Sequence, residues 1–230
     1  MATTFTDIDS VGKRYRFSTK LPIIGDEEGV LLTSYQAASE HTAARILEKL
    51  GKVNVFEICS GVGGTTVFLA KRMAHVYALD INPVRIEAAK INARTFDVLT
   101  KITYIQGDAL DDKIIDQLRA KDIDAVVSDV EWREDLSRSL SETTPDIDKT
   151  IPNTSALYRK MTTALTRNLI MHMAANTDKQ QLRQLGSCEI EEMTYQGRVK
   201  FINVYFGALI NAVGVTRFDM DNSVDQTQLS

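Results

Sequence analysis

Short apolar segments alternate with amphipathic segments between residues 53 and 128, and this alternation limits the folds that the chain can adopt. The apolar segments are rich in β-branched and aromatic residues, which favour strands, and they are Val53–Ile58, His75–Leu79, Ile102–Gln106 and Ala125–Ser128. Helical spacing predicts helices between them, at Thr65–Met73, Pro83–Phe96 and Asp112–Ala120. Because neighbouring parallel strands need crossovers of this length, the pattern predicts an α/β fold with a parallel sheet.

The last third of the chain has a different pattern. A polar insert, Glu134–Asn153, is followed by a predicted helix at Ser155–Leu165 and a strand at Leu169–Met173. An insert of this length is typical of a functional loop or of a disordered segment. Glu189–Tyr195 and Val199–Leu209 then have the composition of two strands with the turn residues Gln196-Gly197 between them. We therefore predict an antiparallel hairpin at the edge of an otherwise parallel sheet.

Composition excludes several classes of protein. The 230 residues carry a formal net charge of −4, which argues against a general polyanion binder. A basic patch at residues 13–17 (KRYRF) is a local candidate for nucleic-acid contact, with a solvated segment as the alternative. No apolar run approaches the roughly 18 residues of a membrane span, and the polar start does not resemble a signal peptide. The sequence therefore predicts no membrane partner.

Cysteine and histidine residues lack the spacing of a metal site. Cys59 and Cys188 are the two cysteines, which suits a reducing compartment and predicts an intracellular protein, cytoplasmic or nuclear. His41, His75 and His172 are far apart in sequence, and none has a cysteine or an acid at ligand spacing. We therefore predict no metal.

A glycine-rich turn follows the first predicted strand. In ICSGVGGTT, glycine occupies three of the four positions from Gly61 to Gly64, although glycine inside regular structure costs roughly 0.5–1 kcal/mol relative to alanine. The turn does not complete a dinucleotide-binding fingerprint, because Thr66 stands where the last glycine is needed, and it lacks the lysine of a phosphate-binding loop. It therefore predicts close approach of the backbone to some other ligand.

Acidic residues follow the other strands. Asp80 lies 19 residues after Gly61, close to the spacing at which an acid binds ribose hydroxyls. Asp108 follows the third strand and Asp129 the fourth. Because ligands of open α/β sheets bind outside the carboxyl ends of the strands, we expect these side chains to meet at one edge. The alternatives are a helix N-cap ahead of Pro83 for Asp80, a role compatible with ligand binding, and a plain turn residue for Asp108.

These motifs resemble those of the class I S-adenosylmethionine-dependent methyltransferases, and more closely the trimethylguanosine synthase group, the cap guanine-N2 methyltransferases of RNA. The resemblance spans residues 26–132. DEEGVLLTSYQ is similar to the family's DEEGWFSVTPE, and EICSGVGGTT to DAFCGVGGNT. ALDINPVRIEAAKINA is similar to the IDIDPVKI-type strand and helix, and DAVVSDVEW to DVVFLSPPW. The resemblance implies a Rossmann-like, mostly parallel seven-stranded sheet with an antiparallel C-terminal hairpin strand and helices on both faces.

The resemblance also implies how S-adenosyl-L-methionine is held. The glycine turn brings backbone close to the methionine and ribose parts of the cofactor, and the N-terminus of the following helix faces the carboxylate. Asp80 binds the ribose hydroxyls and Asp108 the adenine amino group, while Glu57 stands where the family has aspartate. The implied cofactor-binding residues are Glu57, Ser60, Gly61, Gly63, Asp80, Asp108 and Asp129.

The segment Asp129-Val130-Glu131-Trp132 corresponds to the family's catalytic motif, D/N/S-P-P-aromatic, with both prolines absent. The resemblance implies that Asp129 and the Val130 carbonyl accept hydrogen bonds from the guanine amine, and that Trp132 stacks on cationic 7-methylguanine. Glu131 adds a carboxylate that favours a cationic base. Arg133, with Arg138 and Lys149, is a candidate for cap phosphates. The alternatives are a core tryptophan and solvated loop charges, and loss of the prolines removes a constraint on the backbone.

The leading hypothesis is methyl transfer to the 2-amino group of a guanine in RNA, with a capped RNA 5′ end as the partner. One alternative is methyl transfer to another base amine, in a guanine or adenine of transfer or ribosomal RNA. Another is a cofactor-binding subunit with weak catalysis. We assign residues 1–50 to an N-terminal extension and helix that covers cofactor or substrate, residues 51–215 to the methyltransferase domain, and residues 216–230 to a disordered tail, because the tail is polar and lacks periodicity.

Overall fold

The computed structural model describes residues 4–221, which form two compact units, the first ending at Asp108 and the second beginning at Ala109. The elements of the first unit are β1 (Thr6–Asp7), β2 (Ile24–Gly25), α1 (Glu27–Leu32), α2 (Gln36–Leu50), β3 (Asn54–Ile58), α3 (Gly64–Arg72), β4 (His75–Asp80), α4 (Pro83–Thr95) and β5 (Ile102–Gln106). Strands β1 and β2 form a small antiparallel pair, whereas β3, β4 and β5 pair in parallel.

Local chemistry accounts for the ends of the helices in the first unit. The Asp26 side chain caps α1 by accepting from the Gly29 N–H, and the Asn82 side chain caps α4 ahead of Pro83. Gly51 ends α2 with a left-handed φ of 79°. Four of the five residues of β3 are buried, so this strand lies in the core and fixes the start of the glycine turn.

The second unit contains α5 (Asp112–Arg119), β6 (Ile123–Asp129), α6 (Thr154–Ala164), β7 (Leu169–Ala174), α7 (Lys179–Leu185), β8 (Cys188–Tyr195), β9 (Arg198–Phe206) and β10 (Gly214–Asp219). Its strands are ordered β10-β8-β9-β7-β6. The pairs β6–β7 and β8–β10 are parallel, and β9 is antiparallel to both of its neighbours. Strand β7 is buried along its whole length and forms the centre of the core in this unit.

This architecture confirms the predicted α/β class, with a mostly parallel sheet and an antiparallel hairpin formed by β8 and β9. Apart from the β1–β2 pair, the described residues form eight paired strands, three in the first unit and five in the second. The sequence had predicted seven. The hairpin does not lie at the edge, because β9 inserts between β7 and β8 and β10 takes the outer position. Two helices, α1 and α7, were not predicted.

The prediction of a disordered tail from residue 216 is wrong at its start. Strand β10 covers Gly214–Asp219 and pairs with β8, and the Thr216 hydroxyl donates to Glu189 Oε1 at 2.8 Å. Strand β10 forms despite its polar composition because ion pairs and hydrogen bonds to β8 hold it in place. Residues 222–230 lie outside the described residues.

The polar insert is folded in the structure. Thr143 and Asn176 exchange two hydrogen bonds, and the Ile147 N–H donates to the Gln181 side chain on α7 at 3.0 Å. The Thr150 hydroxyl bonds the Thr154 hydroxyl at 2.7 Å where α6 begins. The insert therefore forms an ordered loop packed on α7 and on the start of α6.

Candidate functional site

The glycine turn between β3 and α3 has an unusual backbone. Three alternate residues have left-handed φ values, at 58° for Cys59, 54° for Gly61 and 82° for Gly63. A Cβ atom at Gly63 would lie 3.0 Å from the Cβ of Ala89 on α4, and one at Gly64 would lie 2.4 Å from the Thr33 side chain. Glycine is therefore required because the turn is tightly curved and its neighbours are close.

Asp80 holds this turn from the end of β4. Its Oδ2 accepts from the Gly61 N–H at 2.7 Å, and its Oδ1 accepts from the Asn82 N–H at 2.8 Å. The N-cap of α4 is Asn82 rather than Asp80, so the alternative role that the sequence left open for Asp80 is not the one observed. Each carboxylate oxygen accepts up to two hydrogen bonds, so a buried Asp80 keeps acceptor capacity beyond these two contacts.

Two hydroxyl groups of the turn are buried without a hydrogen-bond partner among the described residues. They are Ser60 Oγ and Thr66 Oγ1. We call Ser60, Gly61, Thr66 and Asp80 the glycine-turn cluster. A buried hydroxyl without a partner costs about 1–3 kcal/mol. Such a cost is relieved when a polar ligand supplies the missing hydrogen bond.

Glu57 and Asp108, the other cofactor-binding residues predicted in this unit, differ in their exposure. Glu57 is buried on β3, and burial of Tyr104 together with the nearby Glu57 charge raises the pKa of Tyr104 above its ordinary range. Asp108 is exposed and follows Gly107, whose N–H donates to the Asp80 carbonyl at 3.1 Å. The structure thus brings the ends of β4 and β5 together, as predicted for neighbouring parallel strands.

The residues before α2 pack directly on the glycine turn. The side-chain amide of Asn92, fully buried on α4, donates to the carbonyls of Ile24 and Val62 at 2.8 Å each, and its oxygen accepts from the Ile24 N–H at 3.0 Å. Asn92 therefore ties β2 to the middle of the glycine turn. Sequence reasoning missed this role, since the contacts join residues that are far apart in the chain.

An ion-pair cluster fixes α1 to α4 within the same unit. Arg85 contacts Asp26 at 3.3 Å and Glu28 at 2.6 Å. Burial alone would lower the pKa of Arg85, but the Asp26, Asp80 and Glu28 carboxylates raise it above its ordinary value. The DEEG and PVRI stretches are thus in contact.

The basic patch at residues 13–17 is largely used inside the first unit. Arg16 donates to the backbone carbonyls of Leu31 and Thr33 at 2.9 and 2.6 Å, which caps the end of α1. Arg14 donates to the carbonyls of Thr19 and Leu21. These contacts favour a structural role for the two arginines over contact with nucleic acid.

In the second unit, Asp129 ends β6 with its side chain 31% exposed. Its Oδ2 lies 3.7 Å from Nδ1 of His172, the residue aligned with it on β7. Val130, the next residue, is buried. We call Asp129, Val130, Trp132 and His172 the Trp132 cluster.

Trp132 is half-buried and is held through both its indole and its backbone. Its Nε1–H donates to the His172 carbonyl at 3.2 Å, and its carbonyl accepts from the Thr144 N–H at 2.8 Å. The indole ring is tilted by 31° against buried Phe201, with centroids 6.4 Å apart. The ring is therefore backed by the sheet while part of its surface stays accessible.

Glu131 and Arg133 form a bidentate ion pair, in which the Arg133 side chain is buried and the Glu131 side chain is 17% exposed. Arg133 Nε donates to Glu131 Oε1 at 2.8 Å and Nη2 to Oε2 at 2.7 Å. Arg133 is 3% exposed and also donates to the Arg138 carbonyl. These contacts favour a role of the pair in holding the loop over contact with cap phosphates or with a cationic base.

The other cations proposed for phosphate contact are paired as well. Lys149 and Arg138 contact the Glu134 carboxylate at 3.3 and 3.7 Å. A hydrogen bond from Thr144 and the Lys149 contact lower the pKa of Glu134 below its ordinary value. These pairs support the alternative of loop charges that stabilise the insert.

The backbone is also braced where the family motif has two prolines. Glu131 and Ile151 exchange both backbone hydrogen bonds, N–H to carbonyl, at 2.9 and 3.1 Å. Together with the Glu131–Arg133 pair, this bridge restrains the segment that prolines would otherwise stiffen. Absence of the prolines therefore does not leave the motif without restraint.

Comparison with known proteins identifies the family. A family model described as RNA cap guanine-N2 methyltransferase matches residues 52–209, more than half of the chain. The chain belongs to this family. The match contains both the glycine-turn cluster and the Trp132 cluster, and family membership supports the predicted cofactor, S-adenosyl-L-methionine.

Solved methyltransferase structures share the fold. A structure described as a methyltransferase from Porphyromonas gingivalis W83 has a TM-score of 0.64 at 13% identity; the match covers 82% of this chain but only 44% of that protein. A magnesium protoporphyrin IX methyltransferase from Synechocystis PCC 6803, with S-adenosylmethionine bound in its own structure, has a TM-score of 0.53 at 17% identity over 74% of this chain and 78% of that one. An rRNA methylase from Streptococcus thermophilus has a TM-score of 0.52 at 15% identity over 72% and 93%. These likenesses confirm the Rossmann-like fold of this family member.

Two further observations concern the described residues alone. Among the side chains of residues 4–221, no group of three or more His, Cys, Asp or Glu residues is arranged to hold a metal ion. None of the helices in that range has the length and apolar character that crossing a bilayer requires.

Proposed function

We propose that this protein transfers a methyl group from S-adenosyl-L-methionine to the 2-amino group of a guanine in RNA, and that this guanine is the 7-methylguanosine of a cap. The observation that carries the proposal is the Trp132 cluster, in which a partly exposed carboxylate at the end of β6 is followed by the only tryptophan of a family member. The family description and the residue chemistry support the same substrate class.

The residues of the glycine-turn cluster fit the cofactor. Asp80 keeps acceptor capacity for vicinal hydroxyls, and Ser60 Oγ and Thr66 Oγ1 lack partners among the described residues. The tight glycine turn lets a ligand approach the backbone at the start of α3. When bound, the cofactor supplies a methyl group that is already activated on a sulfonium.

Asp129 and the Val130 carbonyl would orient the acceptor amine. The lone pair of an exocyclic guanine amine is delocalised into the ring, so acceptors beside its two protons favour the tetrahedral nitrogen that attacks. Orientation of this kind is worth up to roughly 7–11 kcal/mol. As the new N–C bond forms and the bond between the methyl group and sulfur breaks, positive charge develops on nitrogen; the Asp129 carboxylate would stabilise this charge and accept the proton that the amine releases.

Trp132 would favour the binding of a cationic base over that of a neutral base. A 7-methylguanine ring over indole gains stacking and cation–π energy, about 0.5–2 kcal/mol. Phe201 and the His172 carbonyl hold the indole from behind and at its edge, so the ring is positioned before substrate arrives. A preorganised ring loses little entropy on binding, which favours affinity.

A radiolabelled methyl-transfer assay tests the proposal. RNA with a 7-methylguanosine cap should accept label, whereas the same RNA with a 7-methylinosine cap, which lacks the 2-amino group, should not. Asp129→Asn should lose most of the activity and keep cofactor binding. Label on uncapped RNA, transfer RNA or ribosomal RNA instead would show that another base amine is the acceptor. Cofactor binding without transfer to any of these would identify a cofactor-binding subunit.

A further inference from the structure

His172 interrupts an apolar strand. Strand β7 reads LIMHMA, all six residues are buried, and His172 is 1% exposed. Burial of a polar side chain among apolar residues costs free energy unless its contacts compensate, so this imidazole needs a reason to be there.

His172 contacts two proposed functional residues by different groups. Its Nδ1 lies 3.7 Å from Asp129 Oδ2, while its backbone carbonyl accepts the Trp132 indole N–H at 3.2 Å. The imidazole also lies 6.0 Å from the ring of Phe201, which backs Trp132. The side chain of His172 is thus directed at the carboxylate, and its backbone at the indole.

A row of buried polar residues continues from His172 across the sheet. His172 is aligned with Asn203 on β9, and Asn203 with Glu191 on β8. Tyr205 Oη accepts from Asn203 Nδ2 at 3.1 Å and donates to Glu191 Oε2 at 2.6 Å. Aligned residues of neighbouring strands share a face, as do residues i and i+2, so the row lies on one face of the sheet.

We propose that His172 is a positioning residue that sets the orientation of the Asp129 carboxylate; this inference rests on the proposed methyl transfer. A carboxylate at the end of a strand rotates easily about its terminal torsion. With Oδ2 turned toward His172, the direction of Oδ1 is fixed as well. Oδ1 is then oriented to accept a hydrogen bond from the guanine amine before the amine binds. The hydrogen bonds among Asn203, Tyr205 and Glu191 restrain the neighbouring polar residues on the same face of the sheet.

The distance supports a contact that tightens in the loaded enzyme. At 3.7 Å the two atoms are within ion-pair range but beyond a direct hydrogen bond. Contacts of this kind in ligand-free enzymes are often long and shorten in the reacting complex. His172 touches no reacting atom in this scheme, so it acts on the amine only through Asp129.

Three substitutions of His172 separate positioning from packing. Asparagine places a polar atom near the position of Nδ1, glutamine places one near Nε2, and leucine places none. We expect His172→Asn to keep kcat within about threefold of the wild type, and His172→Gln and His172→Leu to lower it by about 10- to 100-fold, as misorientation of a reacting group does. The Michaelis constant for capped RNA should change by less than about threefold, since binding energy comes from Trp132.

Binding measurements provide the readout that activity alone lacks. Because Trp132 is the only tryptophan, its fluorescence reports titration with 7-methylguanosine monophosphate directly. All three variants keep the backbone carbonyl that bonds the indole, so they should bind this nucleotide and S-adenosylhomocysteine as the wild type does. A role in packing alone would weaken both ligands together with the melting temperature.

A double-mutant cycle tests whether His172 acts through Asp129, and it does not depend on the folding of His172→Leu. If His172 acts through Asp129, then His172→Gln in an Asp129→Asn background should lower the single-turnover rate by less than about twofold further. A full additional loss there, or a His172→Asn variant as slow as His172→Leu, would overturn the positioning role, and so would wild-type kcat in His172→Leu. Failure of the wild type to methylate any capped RNA is a separate result, because it removes the proposed function first.

Discussion

At the scale of single residues, Asp80 connects three backbone segments of the first unit. It accepts from Gly61 and Asn82, and its own carbonyl accepts from Gly107. We expect Asp80→Ala to weaken S-adenosylhomocysteine binding by at least about a hundredfold, because two hydrogen bonds to a charged group are lost at about 1.5–3 kcal/mol each. Isothermal titration calorimetry measures the change, with exposed Asp116→Asn as the matched control.

Asp80→Asn separates ligand binding from the support of the turn. It keeps the shape and one acceptor oxygen, so it should bind with intermediate affinity while its melting temperature stays near that of the wild type. Unchanged affinity in a folded Asp80→Ala protein would remove Asp80 from the cofactor site.

In the proposed function, cap specificity depends on Trp132. Trp132→Ala should lose 7-methylguanosine binding by about tenfold or more while S-adenosylhomocysteine affinity stays constant, because the ring face is lost. Trp132→Phe should retain part of the activity, since a weaker ring face survives without the N–H that bonds the His172 carbonyl. Fluorescence cannot report these variants, so calorimetry measures both ligands beside a thermal melt. If the tryptophan serves only the core, its truncation should cost roughly 3–5 kcal/mol and weaken the cofactor as well.

We expect the Glu131–Arg133 pair to contribute to stability rather than to substrate binding. Glu131→Gln leaves the buried Arg133 charge without its partner, so we expect the free energy of unfolding to fall by about 3–5 kcal/mol in denaturant titration. Replacing both, as Glu131→Leu with Arg133→Met, should cost clearly less, because no buried charge remains. Arg138→Ala, on a side chain 49% exposed, serves as the control and should change little. A larger loss in the double variant would contradict this account.

At the scale of elements, β10 depends on charged contacts to its neighbours. Glu192 on β8 contacts Lys179 at 2.7 Å and Arg217 of β10 at 2.9 Å. The hydrogen bond from Lys179, followed by that from Arg217, lowers the pKa of Glu192 below its ordinary value. A carboxyl whose folded pKa is lowered stabilises the fold above its ordinary pKa, and this stabilisation is lost as pH falls through the folded pKa.

We therefore expect the protection of the amides in residues 214–219, measured relative to their intrinsic exchange rate at each pH, to fall as the pH drops below the ordinary carboxyl range, about 4–4.5. In Glu192→Gln the same amides should exchange faster at neutral pH and show a weaker acid dependence. Hydrogen exchange with mass spectrometry measures both, with strand β7 as the internal reference. Equal acid dependence in the two proteins would show that another group controls β10.

The sequence predicted the elements whose signals are local. Strands β3 to β7 and helices α3 to α6 have apolar runs or helical spacing of their own, and the predicted ends lie within a few residues of the observed ones. Strand β10 could not be predicted in this way, because its polar residues are held by partners such as Glu189, 27 residues from Thr216.

The same limit applies to the proposed functional residues. Asp80 and Asp129 could be predicted, since they directly follow strands. His172 is aligned with Asp129, 43 residues earlier in the chain, and Asn92 bonds Ile24, 68 residues earlier. Contacts of this kind depend on strand register and helix packing, so they leave no local signal in a single sequence. One signal was available, because a histidine in the otherwise apolar LIMHMA strand is unusual enough to be singled out.

At the scale of the whole molecule, charge and fold together predict how binding responds to salt. The net charge is −4, and the arginines and lysine first considered for phosphate contact are engaged within the protein. Cap binding should therefore rest on base stacking, with one or two phosphate contacts at most. We expect affinity for 7-methylguanosine triphosphate-linked dinucleotide to fall less than about tenfold between 50 and 200 mM salt. Trp132 fluorescence measures this, and a fall of a thousandfold would indicate an extensive phosphate-binding surface.

The three hydrogen bonds of Asn92 also constrain the order of events during synthesis. Ile24 is synthesised before its partner, which is 68 residues later in the chain. At translation rates of about 5–20 residues per second, roughly 3–14 s pass before Asn92 has been added. During that interval the segment around β2 has no native anchor on α4, and the glycine turn lacks its brace at Val62. The glycine turn can therefore take its final form only after α4 has been synthesised.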